Sequence, residues 1–504
     1  MSDRPEIFWE LTRSICPVCA RVVDAQILFR DNRVIMRKRC PEHGWFEALT
    51  FNDAELYVSS ARYNKPGTLP LEFAAEVAEG CPHDCGLCPE HKQHACLGLI
   101  EVNTACNLAC PLCFADAVST HSLTPGASHT PHSYELTYEQ VDYMLDRFVA
   151  AEGNPEVVQF SGGEPTIHPR ILDFVELAQS KHIKYVMLNT NGIRIARDER
   201  FLARLAELKP HIYLQFDGFD ERTDATIRGK KGLVKDKLRA LDRLAEAGLR
   251  AVLVMALERG VNEHEVGEVI RFGLEHPAVF GVTIQPAFHS GRFMPFDPLQ
   301  RMTIPDVLGL IETQAGEHFV RNDFVPIPCC FPTCNFVTYA YVDHGHVTPL
   351  PRVLNVDDYL DYLANRTLPD LSVDVQRALE GLWSSSAVPG TERAAGQFNC
   401  AACNLGMGLP TDLGTLSERI FMVVIKDFLD RWTFNVKTLM KCCVEVLVPD
   451  GRMIPFCAYN NVGYREQIRA ALAAHPGAIG PGSLGPISPN GHGRVAQARQ
   501  SVLR

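Results

Sequence analysis

Between Leu99 and Ala287 short apolar runs alternate with segments of helical periodicity, and this alternation restricts the fold more than any other feature of the chain. The runs are LIEVNT, VVQFSG, YVMLNTNG, IYLQFDG, AVLVMAL and FGVTIQP, and the helical segments include YEQVDYMLDRFVAA and DKLRALDRLAEAG. Strands connected through helices run parallel with right-handed crossovers. Six such units fit an open doubly wound sheet or a partial barrel, and in both the chemistry belongs at the C-terminal ends of the strands.

The 504-residue chain is too long for one core, so two or three domains are expected. Its formal charge of -11 disfavours nucleic acid as a partner, because phosphate binding needs a clustered basic excess. The start MSDRPEIFWELTRS carries no secretory pattern, and no apolar run is long enough to span a membrane, which predicts a cytoplasmic protein. All eighteen cysteines fall in groups: Cys16/Cys19/Cys40, Cys81/Cys85/Cys88/Cys96, Cys106/Cys110/Cys113, Cys329/Cys330/Cys334, Cys400/Cys403 and Cys442/Cys443/Cys457. Disulfides rarely persist in a reducing cytosol, so grouped thiols point to metal.

The sequence CNLACPLCF follows the first run and lets one tight loop present Cys106, Cys110 and Cys113 to three corners of a cubane cluster, leaving one iron open; a zinc loop is the alternative. After the second run come Gly162, Gly163, Glu164 and Pro165, where paired glycines uncover the backbone and Glu164 adds a carboxylate suited to an ammonium group. Together, a CxxxCxxC loop after one strand and GGEP after the next resemble the radical S-adenosylmethionine (SAM) superfamily over roughly residues 99 to 290. The resemblance implies a partial (β/α)6 TIM-like barrel and a 4Fe-4S cluster whose open iron chelates SAM, with Glu164 facing its amino group. Asn189, Asn191, Gln215 and Asp217 resemble the nucleoside-contacting positions. Reductive cleavage of SAM to a 5'-deoxyadenosyl radical would then abstract hydrogen from an unactivated C-H bond, with a ferredoxin- or flavodoxin-type electron donor.

Four thiolates, from Cys81, Cys85, Cys88 and Cys96, could close every corner of a second cluster; a zinc site is the alternative. Cys16, Cys19, Cys40 and His43 have the spacing of a knuckle for one mononuclear zinc or iron, whose job is to fold a small module. In the C-terminal region Cys330, Cys334, Cys443 and Cys457 are the expected ligands of a further cluster, so one or two auxiliary clusters accompany the first. Cys400 and Cys403 are either another site or plain thiols.

The domains expected are 1–70, a knuckle module; 71–98, an auxiliary cluster segment; 99–300, the barrel; 301–470, a C-terminal region with helical stretches such as LSERIFMVVIKDFLDRW; and 471–504, a disordered tail. STHSLTPGASHTPHS reads as a mobile loop, and RGKKGLVKDKLR from Arg228 to Arg239 as a solvated helix start. The order of CPVC, CPEHG, GCPHDCGLCPEHKQH, CNLACPLCF, QFSGGEPT, NTNG and PDGRMIPFCAYNN is similar to a subfamily holding archaeal tetraether lipid synthases and 7,8-dihydro-6-hydroxymethylpterin methyltransferases. It implies C-C bond formation on lipid alkyl chains, with peripheral membrane contact, or methylation of a dihydropterin or other small heterocycle. A multi-cluster electron-transfer protein without a substrate is the reading from another class.

Overall fold

The computed structural model describes residues 5–120, 133–343, 345–352, 419–485 and 487. Cys400, Cys403 and nearly all of the loop after Ser119 lie outside them.

The N-terminal module is a four-stranded antiparallel sheet of Ile7–Ile15, Val22–Arg30, Arg33–Cys40 and Gly44–Phe51, paired in sequence order. Two of its three turns carry the ligand candidates, Cys16 and Cys19 after the first strand and Cys40 and His43 after the third. The module is anchored to the C-terminal region by Lys38, whose buried ammonium donates to Ser14 Oγ at 3.0 Å and to the carbonyls of Arg431 and Trp432 at 2.7 and 2.8 Å.

Each of the six apolar runs forms a strand: Leu97–Asn103, Val157–Gly162, Tyr185–Thr190, His211–Gln215, Ala251–Leu257 and Val279–Pro286. They pair in that order, all parallel. Helices such as Tyr138–Glu152, Ile171–Ser180 and Leu233–Glu246 cover the outer face. The sheet is extended by a further parallel strand at each end, Val444–Leu447 beside the first and Ile420–Lys426 beside the sixth. Antiparallel strands Met453–Pro455 and Asn335–Asp343 then flank these. Among the described residues no strand pairing joins the two ends, so the barrel is open.

Three local expectations change. IFMVVIK within LSERIFMVVIKDFLDRW is a strand, because an unbroken apolar run buried on both sides of a sheet carries no period that separates it from a helix. In the basic stretch, Arg228 and Lys237 are buried and paired with Asp217 and Asp224, while Lys230 and Lys231 stay exposed. The Gly/Pro/Ser-rich tail touches the core at two points before residue 485, where Gln140 Nε2 donates to the Ala478 carbonyl at 2.9 Å and where Leu484 is buried, while most of the residues around them are exposed.

Candidate functional site

Because strand side chains alternate, the inner face of the curled sheet is read at every second residue. Val157/Gln159/Ser161, Tyr185/Met187/Asn189, His211/Tyr213/Gln215 and Met422/Val424/Lys426 all line one cavity of about 560 Å³. Cys106, Cys110 and Cys113 line it too, as do Gly162, Gly163 and Glu164. Burial pushes the Cys106 and Cys110 thiols up. A cationic group placed among the cysteines of this loop would hold them as thiolates.

The two motifs are locked together through the backbone. Gly163 N–H donates to the Asn103 carbonyl and Glu164 N–H to that of Ala105, each at 2.8 Å. A Cβ on Gly163 would lie 2.0 Å from the Ala105 oxygen, and Gly162 has φ of +127°, so the close approach and the turn both require glycine. The Glu164 carboxylate, buried and pushed up by that burial, accepts from Thr166 N and Oγ1, Thr190 Oγ1 and Asn191 N. Asn191 Nδ2 in turn donates to Asn107 Oδ1 in the cysteine loop at 2.7 Å. Glu164 therefore ties the ends of the second and third strands to the loop. Arg292 backs the loop from the far side, donating to the carbonyls of Cys110 and Ala117 at 3.1 and 2.7 Å.

Asn189, Asn191 and Gln215 line the cavity, whereas Asp217 and Pro165 do not. Asp217 is buried and accepts two hydrogen bonds of 2.6 Å from Arg228, plus one from Ala256 N–H. It positions the Arg228 guanidinium, which does line the cavity beside Cys110. Arg228 was missed in the sequence because its neighbours Lys230 and Lys231 are solvated and the whole run reads as surface. Gln215 faces the same guanidinium with its side-chain amide.

The remaining thiols sort by strand register. Cys16, Cys19, Cys40 and His43 have ligand atoms within 4.8 Å of one another, with Cys19 Sγ 3.9 Å from Cys40 Sγ, close to the edge of a tetrahedron with metal–sulfur bonds of about 2.3 Å. Cys81, Cys85 and Cys88 share a small crevice, with Cys81 and burial both pushing the Cys85 thiol up. Cys96 leaves that group. It immediately precedes the first barrel strand, and the register of Leu97 with Val444 sets it beside Cys443. Cys96, Cys329 and Cys443 have sulfurs within 4.8 Å of one another. Of the expected set Cys330, Cys334, Cys443 and Cys457, the structure places Cys443 in this group together with Cys329, the neighbour of Cys330, while Cys457 Sγ accepts from Leu429 N–H at 3.4 Å. Cys330 packs against the group, and Cys334 lies at its edge.

A family model described as the radical SAM superfamily matches residues 100–273, and one described as the HMPTM N-terminal zinc ribbon domain matches residues 8–52. The 7,8-dihydro-6-hydroxymethylpterin dimethyltransferase of Methanocaldococcus jannaschii is 32% identical over 490 residues, covering 90% of this chain and 94% of that protein. Mycofactocin maturase MftC of Mycobacterium ulcerans is 30% identical over 173 residues, 34% of this chain and 42% of its own. The crystal structure of Streptococcus suis SuiB overlaps 44% of this chain and 46% of that one at 15% identity, with a TM-score of 0.35. With a relative of this identity matched along nearly its whole length, and with the cysteine loop and the Gly-Gly-Glu turn bonded to each other at one cavity, the chain belongs to the radical SAM superfamily.

Proposed function

We propose that this radical SAM enzyme methylates a small heterocycle of the dihydropterin class inside the open barrel. The observation that carries the reading is the lining of the cavity. Between the cysteine loop and the far wall, the inner face presents the amides of Gln159, Asn189 and Gln285 and the Tyr213 hydroxyl among apolar neighbours. Tyr213 Oη already accepts from Gln285 Nε2 at 3.0 Å. A flat ring edged with donors and acceptors suits such a belt, since an unmatched buried polar group would cost about 1–3 kcal/mol. The likeness to a pterin dimethyltransferase along almost the full chain supports the same class.

The residues fit the groups the family implies. Cys106, Cys110 and Cys113 supply three thiolates to a 4Fe-4S cluster, and Arg228, Asn189 and Asn191 surround the space beside it where SAM would lie. When bound, this pair supplies one-electron cleavage of a carbon–sulfur bond. The chain's own part is to hold the loop through Glu164, Asn107 and Arg292, to fix Arg228 through Asp217, and to exclude water with Leu112, Phe288, Phe428 and Phe456.

Hydrogen abstraction for C-C bond formation on a lipid alkyl chain is the second reading, favoured by Leu97, Leu99, Val252, Val254, Met422 and Val424 on the same wall. The test is anaerobic reconstituted protein incubated with SAM, a strong reductant, a dihydropterin and a one-carbon donor that supplies the methyl carbon, followed by mass spectrometry. A mass gain of one or two methyl groups is expected. Formation of 5'-deoxyadenosine without that gain, together with altered lipids on gene deletion, would replace the pterin by the alkyl chain. Absence of 5'-deoxyadenosine altogether would leave the electron-transfer reading.

A further inference from the structure

With Cys96 placed beside Cys329 and Cys443, the loop of Cys81, Cys85 and Cys88 keeps three thiols, and one further side chain with a ligand atom completes it. His91 lines the same crevice, so all four come from eleven consecutive residues. The tetrapeptide that ends this loop, Cys88-Pro89-Glu90-His91, also occurs in the N-terminal module as Cys40-Pro41-Glu42-His43. There it sets His43 Nδ1 3.4 Å from Cys40 Sγ. The backbone turns in the same way in both copies. The N–H groups of Glu42 and His43 point to the Cys40 sulfur, and those of Glu90 and His91 to the Cys88 sulfur. We propose that His91 is the fourth protein ligand of the Cys81, Cys85 and Cys88 group and closes a 4Fe-4S cluster there through Nδ1.

The imidazole is already arranged as a ligand. Its Nε2 lies 2.8 Å from the Cys442 carbonyl, which can only accept, so that nitrogen carries the proton. Burial lowers the His91 pKa to about 4, so the ring has one N–H and Nδ1 keeps its lone pair. Among the described residues Nδ1 takes no hydrogen bond, while the buried Glu445 carboxyl stands 3.5 Å from Nε2. A ring nitrogen held by a carbonyl and a carboxylate is the usual support of a metal-bound histidine, since it fixes both tautomer and orientation. Zinc sites gather ligands in pairs from separate turns, as the N-terminal module does, whereas cubane clusters take them from compact runs spaced by two or three residues. Imidazole in place of a thiolate removes one negative charge from the ligand set, so this cluster takes up an electron more readily than one with four cysteines. His91 also joins the group to the seam, because the peptide that accepts from Nε2 is the one between Cys442 and Cys443. The assignment stands apart from the choice of substrate.

The test uses the full chain reconstituted anaerobically without SAM, with isotopically labelled histidine nitrogen, and pulsed electron paramagnetic resonance of the reduced clusters. A histidine nitrogen coupled directly to one reduced cluster is expected. His91→Cys should abolish that coupling and lower the midpoint potential of the same cluster, while iron and sulfide contents stay at wild-type values because a thiolate takes the corner. Cys96→Ala should leave the coupling in place, which separates His91 from the fourth cysteine of the spacing. His43→Cys, at the mononuclear group, should leave it in place as well. The wild-type spectrum tests the assignment without any variant, so a variant that fails to fold does not shield it. The ligand is overturned if no histidine nitrogen couples to a reduced cluster in the wild-type protein, or if the coupling survives His91→Cys. The cluster is overturned if elemental analysis finds zinc that Cys85→Ala removes. These readouts need no turnover, so they are separate from the 5'-deoxyadenosine and methyl-transfer assays that decide the proposed function.

Discussion

Cys329 Sγ lies 3.7 Å from Cys443 Sγ, although 114 positions separate them and they belong to opposite ends of an open sheet. Cys329 sits in the turn before Asn335–Asp343, and Cys443 immediately precedes Val444–Leu447. Ile327, Val337, Tyr339 and Val444 pack around them. The gap that hydrogen bonding leaves between the two ends of the barrel is thus closed by thiols, and a metal group there would couple the wall of the chamber to its own redox state.

The seam should therefore hold iron through Cys443 and not through its neighbour. Cys443→Ala is expected to lower the iron and sulfide content of the reconstituted protein, whereas Cys442→Ala, whose thiol points to the Val444 carbonyl at 3.3 Å, should leave both unchanged. Elemental analysis of the two variants checks this.

Replacing Gly163 by alanine should damage the cysteine loop without touching a ligand. The added methyl would meet the Ala105 carbonyl at 2.0 Å, and backbone on both sides must move, at a cost of about 1–3 kcal/mol. Cluster incorporation and 5'-deoxyadenosine formation should both fall by at least about tenfold. Wild-type values in both assays would contradict the backbone lock.

The first barrel strand is tied to the C-terminal helix Tyr464–Ala474 by the ion pair of Glu101 with Arg465, at 2.5 Å, with Arg469 at 3.5 Å and Tyr459 Oη at 3.1 Å. Burial pushes the Glu101 carboxyl up, but the two guanidiniums outweigh it and hold its pKa below the usual value. The pair's contribution is thus present above the ordinary Glu value of about 4.3 and is lost as pH falls through the lower folded value. Arg465→Met should destabilise the protein by about 3–5 kcal/mol near neutral pH, because it strands a buried carboxylate. The deficit should shrink on acidification below the ordinary Glu value, since protonation of Glu101 then relieves the cost; thermal melts of both proteins between pH 7 and pH 3 measure it.

Metal in the N-terminal module should be structural. Chelation, or Cys40→Ser, is expected to expose that module to proteolysis while leaving the iron of the barrel in place. Lys38→Met should have a milder effect in the same direction, because it leaves the carbonyls of Arg431 and Trp432 without their donor. Fragment mapping by mass spectrometry distinguishes the two.

The six central strands were legible because parallel strands buried on both faces read as unbroken apolar runs, and a run such as AVLVMAL flanked by helical periodicity has no other home. The same property hid Ile420–Lys426, where flanking charges extended the run into an apparent amphipathic helix. CNLACPLCF and GGEP could be read because each is one local loop, whose spacing alone puts its side chains on one side. The knuckle residues Cys16, Cys19, Cys40 and His43 come from two hairpin-like turns with similarly local spacing.

By itself, then, the sequence determined which short segments carry thiols, which runs form the parallel sheet, and which two loops meet at its rim. Only the tertiary structure decided that Cys96 joins Cys329 and Cys443, that Asp217 orients Arg228 inside the chamber, and that Tyr185, His211, Arg250 and Phe280 form one stack. The reason is physical. Spacing within a loop is a property of the local backbone, whereas the neighbours of a residue at a strand end depend on register and curvature, which are set by the packing of every other strand.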